Sequence, residues 1–133
     1  MKKLQRLSVT QEAVLRERLR MLFADLRKEG AFARMNWQCC QSCGNAAVPT
    51  THRGMVAFYH AQDHDRLRDG GTMVTHGWAY GPDEMPSAEK DVRAAKEMVK
   101  RAGKFGLRAE WDGSDGTRVW LELAPETDDE VGA

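Results

Sequence analysis

The three cysteines of this chain lie within five consecutive residues. Cys40 and Cys43 are separated by two residues, and Gly44 follows directly. Two thiolates at this spacing can reach one tetrahedral metal ion, because the turn between them brings both sulfurs to the same side. The pattern therefore predicts one half of a zinc site, and a structural zinc ion needs two further ligands.

A second stretch, residues 58–64, supplies candidates for those ligands. It contains His60 and His64, and sixteen residues separate Cys43 from His60. One ligand set is Cys40 and Cys43 with both histidines. The other is Cys39, Cys40, Cys43 and His60, which is geometrically harder because adjacent residues of an extended chain point to opposite faces.

The same residues allow two other interpretations. A free cysteine resembles a small hydrophobic side chain and often lies in the core. A thiolate can also act as a nucleophile when a neighbouring histidine lowers its pKa. Cys40 or Cys43 with His60, oriented by Asp63, would make such a catalytic set. Disulfide cycling is the weakest option, because residues 45–51 do not read as the helix that follows a thioredoxin-like motif.

The elements that must position these residues follow from periodicity and capping signals. Ser8 and Gln11 form a capping box before a helix at residues 9–29, and Ser87 begins a second helix that ends at Gly103. Strands are predicted at residues 31–38, 54–60, 72–78, 107–111 and 117–123. The order α-β-β-β-α-β-β predicts a two-layer α+β fold, with an antiparallel or mixed sheet of about five strands and two helices on one face.

Length and charge restrict the class of protein. The 133 residues fit a single domain at 1–125, followed by an acidic tail at 126–133 that we expect to be disordered. The formal net charge is zero, and no aromatic residue outside the apolar stripe of the first helix is interleaved with its basic residues, which argues against a nucleic-acid partner. We find no apolar run of about 20 residues and no export signal. The sequence thus reads as a cytoplasmic protein without a membrane segment.

Three motifs are distinctive in combination. They are Cys39-Cys40-x-x-Cys43-Gly44, an aromatic residue before His60-x-Gln62-Asp63, and Trp111-Asp112-Gly113. Together they resemble an uncharacterised bacterial domain family of unknown function, over roughly residues 10–123. The resemblance implies a bacterial origin and a shared local site, and it brings no established activity. His64 departs from the family pattern, which favours a site built from the cysteines with His60, Gln62 and Asp63.

Three functions follow as hypotheses. The first is a non-enzymatic module that binds a protein partner and carries a structural metal site, with zinc held by Cys39, Cys40, Cys43 and His60. The second is a cysteine-dependent enzyme that uses Cys40, His60 and Asp63. The third is an immunity or anti-defence protein that neutralises a partner, a role that suits small neutral domains.

Overall fold

The computed structural model describes residues 6–125. The first helix, α1, spans Val9–Lys28 and begins with the predicted capping box. The backbone amide of Ser8 donates to Gln11 Oε1 at 2.9 Å, and the amide of Gln11 donates to Ser8 Oγ at 3.1 Å. These two bonds satisfy amides that have no partner within the helix, so the sequence signal and the helix start coincide.

Four helices and five strands make up the described part of the chain. The other helices are α2 (Gln41–Ala46), α3 (Ala61–Asp65) and α4 (Ala88–Ala102), and the strands are β1 (Phe32–Arg34), β2 (Gly54–Phe58), β3 (Gly71–Ala79), β4 (Leu107–Glu110) and β5 (Val119–Leu123). Short 3₁₀ turns at Arg66–Asp69 and Gly103–Phe105 follow α3 and α4. Within residues 6–125, no helix combines the length and the apolar character that crossing a membrane requires.

The five strands form one mixed sheet in the order β1-β2-β3-β5-β4. β1 and β2 run parallel, and the other neighbours are antiparallel. A parallel pair needs a crossover connection, and here the segment that contains α2 provides it. The α+β class and the five-stranded sheet predicted from the sequence are confirmed.

α1 and α4 pack together on one face of this sheet, where the main core lies. α1 contributes a leucine-rich stripe to this core. β2, β3 and β5 contribute Ala57, Val74, Val119 and Leu121, and Tyr59, which follows β2, is buried with them. The buried residues of α1 are Leu15, Leu19, Leu22, Phe23 and Leu26. The helical period places these side chains on one side of α1, so that burial of that stripe fixes the helix on the sheet.

A smaller apolar cluster covers the opposite face. Phe32, Val56 and Phe58 are buried there, and Trp37 and Val48 pack against them. The Trp37 side chain donates from Nε1 to the backbone oxygen of Gly44 at 3.1 Å. α2 and the connection around it therefore lie on the face that α1 and α4 leave open.

Two predictions next to the cysteines differ from the structure by more than the end residues of an element. The strand expected at residues 31–38 ends at Arg34, because Asn36 and Gln38 have φ angles of 51° and 62°, which are incompatible with an extended strand. Residues 41–46 form α2, which contains Cys43, so the prediction that the chain is not helical after the cysteines is wrong for Asn45 and Ala46. The acidic tail at 126–133 lies outside the described residues.

Candidate functional site

The three cysteine sulfurs lie together at the start of α2. All lie within 4.8 Å of one another, and the sulfurs of Cys39 and Cys40 are 3.8 Å apart. Cys39 and Cys43 are exposed, and Cys40 is partly buried. Three thiol donors this close could hold one metal ion, since zinc accepts thiolate ligands at adjacent tetrahedral positions. The prediction of ordinary buried thiols is wrong for Cys39 and Cys43.

The close grouping of the sulfurs shifts the pKa values of Cys40 and Cys43 in opposite directions. The backbone amide of Cys43 and the thiols of Cys43 and Cys39 lower the pKa of Cys40. Hydrogen bonds to the sulfurs of Cys39 and Cys40, and the charge on those sulfurs, raise the pKa of Cys43 to about 11. The grouping therefore favours ionisation of Cys40 over ionisation of Cys43. A metal cation bound among the three sulfurs would offset the repulsion between neighbouring thiolates and so favour ionisation of the remaining thiols.

We expect Cys40 to alkylate at a lower pH than Cys43 in metal-free protein. Only thiolates react, so the rate for Cys40 should level off at a lower pH than the rate for Cys43, which should still rise above pH 9 or so. Iodoacetamide labelling across a pH series, read by peptide mass spectrometry, measures both rates. Equal pH profiles for the two thiols would contradict this arrangement.

A second cluster lies at the end of β2 and centres on a buried carboxylate. Asp63 is fully buried, and its Oδ2 accepts a hydrogen bond from Arg118 Nη1 at 2.6 Å and lies 3.0 Å from His60 Nε2. The same Arg118 nitrogen lies 3.4 Å from His60 Nε2 and can donate to it. His60 is only 5% exposed and precedes α3 as its N-terminal cap residue. A buried carboxylate needs such charged partners, because burial alone disfavours its ionised form.

The His60 ring has one nitrogen without a partner. Nε2 faces Asp63, and Nδ1 is buried with no hydrogen-bond partner within the described residues. Nε2 has an acceptor in Asp63 and a donor in Arg118, so its contacts are compatible with either neutral tautomer. With the hydrogen on Nε2, Nδ1 presents its lone pair as in a metal ligand or a general base, in both of which a carboxylate holds the opposite nitrogen.

α2 and His60 lie on the same face of the sheet. A side chain at Gly44 would place its Cβ 2.4 Å from Phe58 Cε1, so α2 packs directly on the Phe58 ring. His60 is two residues further along the extended chain, and its side chain therefore points to the side of Phe58. The backbone also joins the two stretches, since the Ala61 amide donates to the Gln38 oxygen at 3.0 Å.

The predicted site residues are thus brought partly together. Cys39, Cys40 and Cys43 form one group of ligand atoms, and His60 lies outside that group, on the same face, with its ring bound to Asp63. His64 lies elsewhere: its Nε2 accepts from Arg16 Nη1 of α1 at 2.7 Å. Burial, and then the charge of Arg16, lower the pKa of His64.

Two residues that contribute to the candidate site were not predicted from the sequence. Arg118 reaches Asp63 across 55 positions, and no local pattern predicts that pair. Gly44 lets α2 approach Phe58 closely, a packing role that was not predicted from the sequence either. Its position directly after the CxxC motif was the available signal.

The fold and the site define a small α+β domain that displays a three-cysteine cluster beside a buried His-Asp-Arg cluster. The chain belongs to the family described as domain of unknown function (DUF6891), whose model matches residues 3–124. A stretch of 73 residues, 54% of this chain, is 32% identical to cell division protein FtsZ of Porphyromonas gingivalis strain W83 and covers 16% of that protein. No solved structure matches the chain.

Proposed function

We propose that this domain is a non-enzymatic binding module, for a protein partner, whose cysteine cluster holds a structural zinc ion. The observation that carries the proposal is the grouping of three sulfurs within 4.8 Å at the start of α2. Sulfur donors favour zinc among the common divalent ions, since magnesium and calcium prefer oxygen. The ion would link the irregular segment after β1 to α2 and so stabilise an exposed part of the fold.

His60 is the fourth ligand in this proposal. Within residues 6–125 its buried Nδ1 has no hydrogen-bond partner, and Asp63 Oδ2 lies 3.0 Å from Nε2. A carboxylate in this position fixes the ring and raises the basicity of the ligating nitrogen. Since His60 lies outside the group of sulfurs in the structure, coordination requires rotation of the exposed cysteine side chains toward its ring.

Elemental mass spectrometry on untagged protein, with thiol counts on the same sample, tests the zinc proposal. We expect about one zinc ion per chain, and thiols that react with a disulfide reagent only after a chelator is added, because structural zinc contributes directly to folding free energy. Removal of the ion should lower the unfolding temperature.

Two variants separate the ligands from their surroundings. Cys43→Ser should lose the zinc, whereas Ser42→Ala, which changes the adjacent residue of the same helix, should retain it. His60→Gln should weaken zinc binding by roughly 10-fold or more if the ring is a ligand. Metal-free protein with three freely reactive thiols and unchanged stability in chelator would overturn the proposal.

The second candidate is a cysteine-dependent enzyme. The observation in its favour is the lowered pKa of Cys40 on the face shared with the His60–Asp63 pair. In that mechanism Cys40 is the nucleophile, His60 Nδ1 is the base, and Asp63 orients the ring. If it is correct, His60→Gln should slow the alkylation of Cys40 in metal-free protein, and Ser42→Ala should leave the rate unchanged.

The partner side of the proposal rests on the exposure of the cysteine face and on a partial match. The chain resembles a short part of a protein named for cell division, and a domain can recur in otherwise different chains as a folding unit. We infer that the domain serves recognition, with the exposed cysteine face as its contact surface. Capture experiments with Cys43→Ser as the comparison would show whether a partner depends on that face.

A further inference from the structure

A cavity of about 310 Å³ opens between the C-terminal end of α1 and the side of α4, on the face of the sheet opposite the cysteines. Leu26, Ala31 and Met55 contribute apolar surface, and Trp78 stands at one side. Met55 pairs with Trp78 across β2 and β3, so both side chains point to the helical face. The volume is sufficient for a small organic molecule.

The arginine side chains around this cavity fall into two groups, one with carboxylate partners and one without such partners within residues 6–125. At one end Arg101 is held by three carboxylates, with Nη1 2.8 Å from Asp25, Nε 2.6 Å from Glu97 and Nη2 3.2 Å from Glu29. These contacts occupy the guanidinium on several sides. Arg101 is therefore a fixed part of the wall and is not available to a ligand.

Arg53 and Arg93 line the cavity without such partners. Within residues 6–125, neither forms an ion pair with a carboxylate. Arg53 donates to the backbone oxygens of Thr50 and His52, and the Arg93 guanidinium lies 5.8 Å from the centre of the Trp78 ring. Glu84 acts on Arg53 electrostatically, but its carboxylate is already bound by the Gly81 amide and Lys90.

We propose that this cavity binds a small molecule through an anionic group, a carboxylate or a phosphate, held by Arg53 and Arg93. Guanidinium groups bind both anions with paired hydrogen bonds, and an apolar part of the ligand would lie against Met55 and Trp78. The site is separate from the cysteine cluster and does not depend on the zinc proposal.

Benzoate and phenyl phosphate are suitable probes, because each joins a flat ring to one of the two anions. Isothermal titration at constant ionic strength should show binding of at least one of them, while benzyl alcohol, the neutral comparison, should bind more weakly. Arg53→Met and Arg93→Met should each weaken that binding by about 10-fold, as expected for loss of a charge-assisted contact. Both side chains are exposed, so these variants should fold normally.

Lys96→Met is the matched control, since Lys96 is an exposed cation of α4 that does not line the cavity. Anion binding that both arginine variants weaken and the Lys96 variant retains would support the site, and the tighter probe would identify the anion class. Absence of anion binding at millimolar probe, equal binding of benzyl alcohol, or equal effects in all three variants would overturn it.

Discussion

Asp63→Asn is expected to lower the free energy of unfolding by about 3 kcal/mol. Asp63 is fully buried, accepts a hydrogen bond from Arg118 at 2.6 Å, and lies 3.0 Å from His60 Nε2. Removal of its charge leaves the Arg118 guanidinium without its carboxylate partner. Arg118 is 24% exposed, so water offsets part of this loss and the estimate stays at the lower end for buried pairs. Urea denaturation of both proteins measures the difference.

Asp65→Asn provides the control, because Asp65 is an exposed acid of the same short helix. Its effect should stay within about 0.5 kcal/mol. A double-mutant cycle of Asp63→Asn with Arg118→Met isolates the pair: the double variant should lose less stability than the two single variants together. Additive losses, or a loss below about 1 kcal/mol for Asp63→Asn, would show that the buried cluster does not hold the end of β2 as described.

The helices and most strands could be predicted from the sequence because their signals are local. The capping box at Ser8 and Gln11 lies within four residues, and it fixed the start of α1. The predicted strand at 72–78 differs from β3 by one residue at each end. In such segments, the preference of each residue and the burial pattern favour the same structure.

The prediction failed where backbone conformation depends on distant contacts. β1 ends at Arg34 because the chain takes φ angles of 51° at Asn36 and 62° at Gln38. The adjacent amide of Trp37 then donates to the oxygen of Tyr59 at 2.8 Å. The alternation of side chains from Ala31 onward is compatible with a longer strand, so periodicity alone does not reveal the break.

In the candidate site, too, the sequence predicted the groups of residues that are close along the chain and missed the contact between distant residues. The three cysteines are close to one another both in sequence and in space, and so are His60 and Asp63. Arg118 was not predictable, because it reaches Asp63 only through the order of strands: it directly precedes Val119, which pairs with Val74 of β3. A strand order in which β5 lies beside β3 is a property of the whole sheet and not of any local motif.

Gly44→Ala is expected to destabilise the domain by about 2 kcal/mol and to displace α2. The added Cβ would lie 2.4 Å from Phe58 Cε1 and 2.6 Å from Cζ, both on a fully buried ring. Because that ring is enclosed by Phe32 and Val56, it cannot move aside at low cost. Displacement of α2 should also lengthen the bond from Trp37 Nε1 to the Gly44 oxygen and separate the Cys43 sulfur from the other two.

The expected loss therefore has two parts that can be measured separately. Urea denaturation gives the loss of stability, and zinc affinity, if zinc binds, gives the displacement of the cysteines. Gly103→Ala is the matched control, because a Cβ there meets nothing within 4 Å and its φ of −60° is helical. Phe58→Leu combined with Gly44→Ala should cost less than the sum of the single changes, since the smaller side chain makes room for the methyl group. If the Gly44→Ala variant is as stable as the Gly103→Ala variant, α2 does not pack on Phe58. The inference that the cysteines and His60 share one face of the sheet would then lose its structural support.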